Sequence, residues 1–157
     1  MQAIARRHPR FPAQIAVVYA LLAVAHPGNA HAIAQVLGPQ VAQLAAGYSH
    51  VFGPSTTFGK DLMPCVAALL GVNQVSDLMA VESADTFKRP IYAGNAIVTV
   101  EAPSDAIVVG TVRTASWPAV GEGTNAAPIA AITVDAALPA HTRFVGLQQA
   151  SSERPDL

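Results

Sequence analysis

Residues 47–60, GYSHVFGPSTTFGK, decide how this chain is read. A short apolar strand over 49–52 runs into a turn with Gly53, Pro54 and Ser55 and ends in Gly59-Lys60. A nucleotide-binding P-loop needs G-x-x-x-x-G-K-[ST], so that backbone N–H groups wrap the phosphates, the Lys reaches them and the hydroxyl ligates magnesium. Here the spacing from Gly53 to Gly59 is too long, and Asp61 stands where the hydroxyl belongs. A carboxylate at that place repels phosphate, and the stretch reads as a strand entering a helix.

Outward from this unit, Phe58, Leu62, Val66 and Leu69 recur at helical spacing, which predicts a helix capped by Ser55 or Thr56, kinked at Pro64 and stopped at Gly71. Upstream, Ile33, Val36, Leu37, Val41 and Leu44 predict a helix over 29–46 with Asn29 as cap, a bend at Pro39 and an end at Gly47. Beyond Gly71 the texture is strand-rich, in QVSDLMAV, FKRPIYAG, NAIVTVEA and AIVVGTVRT. The last two flank Pro103-Ser104-Asp105 and read as an antiparallel hairpin, while Ala93-Gly94-Asn95 is a turn in which Gly94 or Asn95 takes positive φ. Residues 121–125 mark a loop, 128–134 and 143–147 are short apolar segments, and the tail SSERPDL reads as a polar linker. Strand, turn and helix in this order make an α/β unit.

Composition narrows the function classes. The chain has 157 residues, enough for one domain, and a net charge of −1, which leaves no electrostatic footprint for nucleic acid. Charged residues are 12% and AVILMFWYC 52% of the sequence, so much of the surface is weakly charged and suited to being covered. All ten acidic residues lie from Asp61 onward. MQAIARRHPR followed by FPAQIAVVYALLAVA has the basic and apolar regions of a secretory signal, with Ala23-Val24-Ala25 as a cleavage-like site; an Arg-rich, acid-free start also suits a mitochondrial transit peptide, and an amphipathic segment covering the core is the plainer reading. The apolar run is shorter than the roughly 20 residues a membrane span needs.

Chemistry-bearing residues are sparse. His8, His26, His31, His50 and His141 have no tight metal-ligand spacing, and the single Cys65 excludes an internal disulfide and a thiolate cluster. Cys65 sits among apolar neighbours and reads as a buried or half-buried thiol. Ser55, Ser76, Ser104 and Ser116 lack a G-x-S-x-G elbow. Asp85 with Lys88 and Arg89 is a candidate anion site or a solvated rim, and Gly121 with Gly123 is a G-x-G without the third glycine of a dinucleotide fingerprint.

The segments AGYSHVFGPSTTFGKDLMPCVAALLGVNQVSDLMAV, SADTFKRPIYAGNAIVTVEA, VGTVRTASW and RFVGLQQASSERPDL, in this order, resemble the N-terminal domain of the alpha subunit of electron-transfer flavoprotein. Thr57-Phe58-Gly59-Lys60 and Asp85-Thr86-Phe87 with Arg89 to Asn95 carry the likeness most specifically. It implies a Rossmann-like, nucleotide-alpha-hydrolase-like three-layer α/β sandwich with an antiparallel hairpin, incomplete at its N-terminus. Domain boundaries follow: 1–28 unassigned, 29–150 the flavoprotein alpha N-terminal domain, and 151–157 a linker to an FAD-binding domain beyond this chain.

The resemblance further implies a scaffold and interaction domain of an electron carrier, not an enzyme. In that family a heterodimer with a beta subunit takes electrons from flavin dehydrogenases, including the acyl-CoA dehydrogenases of fatty acid beta-oxidation, and passes them to a membrane quinone oxidoreductase. FAD is held by the second alpha domain and AMP by beta, so no catalytic, cofactor-binding or metal-binding residue, and no cofactor, is expected in this chain alone. Its Gly59-Lys60 then belongs to a structural turn. The expected compartment is the cytoplasm of a bacterium or the mitochondrial matrix of a eukaryote, without membrane insertion. The chain departs from the family in carrying Cys65 where an Arg is usual, and in residues 1–28, where a strand, helix and strand are usual. A stand-alone adenine-nucleotide-binding module and an exported small protein are the competing readings.

Overall fold

The strand-to-helix unit of residues 47–60 is present in the computed structural model, which describes residues 3–6, 29, 31, 33–119, 132–137, 139–146 and 148. In chain order the elements are β1 (Ala3–Arg6), α1 (Ala34–Ala45), β2 (Tyr48–Pro54), α2 (Thr57–Leu70), β3 (Gln74–Leu78), β4 (Ala80–Val81), β5 (Thr86–Ile91), β6 (Ala96–Glu101) and β7 (Val108–Val112). Single 3-10 turns follow at Tyr92–Gly94 and Thr114–Ser116. Residues 121–125, the sequence proposed as a glycine loop, lie outside the described residues, as do most of 128–134 and all of 151–157.

Helix α2 begins and ends as its sequence predicts. Thr56 is the N-cap and its hydroxyl accepts from Gly59 N at 3.2 Å; Gly71 closes the helix in the left-handed conformation at φ 68°, and N–H groups of Gly71 and Val72 reach Ala68 and Ala67 carbonyls. Helix α1 differs from expectation at both ends. Its N-cap is Ile33, without a side-chain cap, and it ends at Ala46 in right-handed geometry rather than on Gly47. Asn29 is not the cap: its amide exchanges hydrogen bonds with the buried Gln40 side chain at 2.9 and 3.2 Å, while Gln40 Nε2 also donates to Val36 O. Side-chain pairing with an amide already inside the helix thus wins over capping. Both helices run on through their prolines, Pro39 and Pro64.

The buried faces are narrower than the large apolar residues suggest. In α1 they are Ala34, Gly38, Gln40, Val41 and Ala45; in α2 they are Gly59, Leu62, Met63, Val66 and Ala67. Ile33, Phe58 and Leu69 are 41%, 45% and 53% exposed. Close helix crossing explains the preference for small side chains: a Cβ on Gly38 would lie 2.7 Å from Cys65 Sγ.

Two sheets follow. The first has the order β1-β2-β7-β3, with β7 parallel to both β2 and β3 and β1 antiparallel on the outer edge of β2. The second, β4-β5-β6, is antiparallel throughout. This corrects the expected hairpin between NAIVTVEA and AIVVGTVRT. The hairpin is β5–β6, closed by the Ala93-Gly94-Asn95 turn, whereas β7 leaves β6 and inserts between β2 and β3. Four successive buried residues in β7 show why: a strand covered on both faces belongs inside a parallel sheet. In the turn Gly94 has φ 93°, with Tyr92 and Ala93 also positive, and Asn95 is not.

Alternation in β2 and β7 divides the core. Val51 and Val109 join the helix-side cluster with Val41, Leu62, Met63 and Val66, and Gly53 makes room there for Met63. On the opposite face Phe52 and Val108 meet Leu78, Phe87, Val81 and Val100. The sandwich therefore has three layers, the helix pair, the mixed sheet and the antiparallel sheet. No helix among the described residues is long and apolar enough to cross a membrane.

Candidate interaction surface

The turn after β2 is filled by the protein itself. Gly59 N–H is taken by Thr56 Oγ1 and Lys60 N–H by Thr56 O at 2.9 Å, so the first turn of α2 already has acceptors for these donors. A Cβ on Gly59 would sit 1.8 Å from Pro54 O. Glycine is required there because the carbonyl that ends β2 lies over the helix start. Lys60 and Asp61 are both exposed. The two glycines that suggested a phosphate loop are thus packing devices, one for Met63 and one for the Pro54 carbonyl.

The proposed anion group is not assembled. Neighbouring positions on a strand face opposite ways, and Lys88 pairs with Glu82 on the outer face while Arg89 turns inward and donates from Nε to Ser76 O at 2.8 Å. Asp85 serves its own turn. Its carboxylate accepts from the Ser83 and Thr86 hydroxyls, which hold its pKa below the usual value, and its carbonyl accepts from Ala102 N at 2.8 Å.

The described histidines go to separate places. His50 is buried between the sheets, with Nδ1 at 2.8 Å from Ser49 Oγ, Nε2 at 2.5 Å from Ala84 O, and the Phe52 and Phe87 rings beside it. His31 stacks on Phe144 with ring centroids 3.7 Å apart, and His141 is exposed. His8 and His26 lie outside the described residues. Among the described residues no group of His, Cys, Asp and Glu could hold a metal. Cys65 is half-buried, its thiol 3.7 Å from Ala34 O.

A group that sequence reading missed lies where β3 and β7 end. Asp77 has φ 60° at a bulge in β3, its N–H donates to the buried Thr111 hydroxyl at 2.8 Å, and its carboxylate is 3.5 Å from Arg113. Only the Ser76-Asp77 pair hinted at it, as a turn signal inside an apolar run.

A groove of about 350 Å³ between α1 and α2 is lined by Gln35, Pro39, Cys65, Leu69, Ala137 and Pro139. One uncharged amide among apolar groups does not fit a flavin dinucleotide, whose pyrophosphate needs several donors or cations. The surface that stands out instead is the outer face of the antiparallel sheet. Pro90 and Ile97 lie opposite each other there, Ile97 is 57% exposed, and Tyr92 projects from the hairpin tip at 77% exposure. An exposed aromatic beside aliphatic side chains is the composition of a protein contact.

Comparison with known proteins agrees with the residues that carry the likeness. The electron transfer flavoprotein domain model matches residues 13–137, starting inside the segment that sequence reading left unassigned. The electron transfer flavoprotein subunit alpha of Pseudomonas aeruginosa is 44% identical over 147 residues, covering 92% of this chain and 46% of that protein. That of Paracoccus denitrificans is 45% identical over 145 residues, with the same coverages of 92% and 46%. The mitochondrial subunit alpha of Dictyostelium discoideum is 43% identical over 104 residues, covering 62% of this chain and 29% of that protein. The chain spans less than half the length of the curated relatives it matches. With the family model covering most of its residues and its relatives named as alpha subunits, the chain belongs to the electron transfer flavoprotein family.

Proposed function

We propose that this chain is the scaffold and interaction domain of an electron-transfer flavoprotein alpha subunit. In the assembled carrier it pairs with a beta subunit, and electrons from acyl-CoA and other flavin dehydrogenases travel through an FAD held outside this chain to a quinone oxidoreductase. AMP belongs to beta in this reading. One observation carries the choice of scaffold over nucleotide-binding module: at the turn where a nucleotide fold would cradle phosphate, Thr56 caps Gly59 and the Pro54 carbonyl overlies the helix start. The low charge content and the apolar outer face of the antiparallel sheet favour a chain that is covered by a partner.

The purified chain is expected to be colourless after gel filtration, to show no saturable binding of labelled AMP, and to melt more sharply when co-expressed with the beta subunit. Stoichiometric flavin or saturable AMP binding would overturn the scaffold role. A cooperative melt unchanged by beta would overturn the partner.

A further inference from the structure

Residues 132–137 and 139–146 carry apolar side chains without a sheet to hold them. From Ile132 to Ala137 half-buried and exposed residues alternate, as they would along a strand. Among the described residues no strand pairs with them, and no hydrogen bond or ion pair ties them to the rest of the chain. Ala140 to Gly146 are all exposed, Phe144 at 52% and Val145 at 82%. An unpaired backbone has to stay near water, and this one does.

Two contacts hold it against the helix layer. Ala137 and Pro139 form one wall of the groove of about 350 Å³, opposite Gln35 and Pro39 of α1 and Cys65 and Leu69 of α2. Further along, the Phe144 ring lies flat on His31, with centroids 3.7 Å apart and the planes within 12° of each other. His31 precedes α1, so the chain passes from the first half of that helix back beyond its start. Neither ring belongs to a core cluster, and both are exposed. Their stack fastens this segment and little else.

We propose that these residues form a strap over the α1–α2 groove, latched by the His31–Phe144 stack, and that the strap opens as a unit while helices and sheets stay folded. Segments with few buried apolar contacts and no hydrogen-bonded backbone open at the low end of a protein's stability range. Opening takes away the wall made by Ala137 and Pro139 and leaves Pro39, Cys65 and Leu69 on an uncovered apolar face. Leu69 is already 53% exposed with the strap in place. This face lies across the mixed sheet from the β5–β6 surface. The inference is therefore independent of the electron-transfer reading and of where a beta subunit binds.

Cys65 is a built-in reporter, because it lines the groove and is half-buried. The test is its rate of labelling by N-ethylmaleimide in the native chain, measured across urea concentrations below the unfolding transition. The wild type should label much more slowly than the unfolded chain and with little dependence on urea, which marks a local opening. Phe144→Ala and His31→Ala should each speed labelling roughly three- to tenfold, the range a ring stack is worth. The double variant should be no faster than either single one, since both remove the same contact, and His31→Phe, which keeps a ring in place, should label as the wild type does. A wild-type rate equal to that of the unfolded chain would mean that nothing covers the groove. A rate that rises with urea as steeply as global unfolding, or that Phe144→Ala and His31→Ala leave unchanged, would overturn the strap, and His31→Phe labelling as fast as His31→Ala would overturn the latch.

Discussion

Strands β6 and β7 are neighbours in sequence and almost the same in composition, AIVTVE against VVGTV, yet they have opposite fates. The first alternates between half-buried and exposed along its whole length; the second is buried at four successive residues. Their side chains do not set them apart. Position does: β7 lies between β2 and β3 with helices on one face and a sheet on the other, and β6 has a single neighbour among the described residues. The one residue that marks the difference is Gly110. A Cβ there would lie 2.9 Å from Val75 O and 3.0 Å from the Phe52 ring, a crowding that comes with its place between β2 and β3.

The contrast breaks most visibly at the residue that joins the two sheets. Phe87 is 1% exposed and meets Phe52 edge-on with centroids 6.1 Å apart, so Phe87→Ala should cost about 4 kcal/mol in a urea titration and release the β6 side of the molecule from the β7 side. Next in size is Gly110→Val, about 3 kcal/mol, because backbone and an aromatic ring must move to admit the side chain. The matching change in β6, Ile97→Thr, alters an exposed position and should stay within about 0.5 kcal/mol in the same titration of dilute protein. Equal costs at Gly110 and Ile97 would erase the distinction between the strands.

The smallest effect concerns the turn that starts β5. The Ser83 and Thr86 hydroxyls lower the pKa of Asp85 in the folded chain, so its contribution is fully present above the ordinary carboxylate value and is lost as pH falls through the lowered one. Asp85→Asn should therefore shift the urea midpoint slightly downward at neutral pH and leave it unchanged in strong acid. A shift of the same size at both pH values would mean that the carboxylate charge has no part in holding the turn.

The same contrast explains what could be read from the sequence. The unit from β2 to α2 was legible because each of its signals is local: an apolar run, a Thr cap, a helical period and a closing glycine. The β5–β6 turn was legible from Ala93-Gly94-Asn95 for the same reason. The partner of β7 was not, since pairing with β2 and β3 depends on residues far away in sequence and Pro103-Ser104-Asp105 looks like a hairpin turn in isolation. Large apolar residues also misled. Phe58 and Leu69 share the helical period of Leu62 and Val66, but the tight crossing of α1 and α2 puts Gly38, Ala34 and Ala67 in the interior beside Leu62 and Val66 and leaves Phe58 and Leu69 outside. At the candidate surface, residue types placed Lys88 beside Arg89, and only the pleat of β5 shows that they face opposite ways.

The insertion of β7 between β2 and β3 also sets a timetable for synthesis. When a ribosome has delivered α1, β2, α2 and β3, the two strands have no hydrogen bonds to each other, because the place between them is reserved for residues not yet made. The β5–β6 hairpin, whose pairs lie close in sequence, can close within roughly 1–10 μs of emerging. The mixed sheet must wait until Val112 has left the exit tunnel, which at about 5–20 residues per second leaves a nascent chain with an unfilled slot for seconds after β2 appears. For that interval β2 and β3 are open to any extended segment nearby, and the last strand of the sheet acts as the gatekeeper of the whole fold.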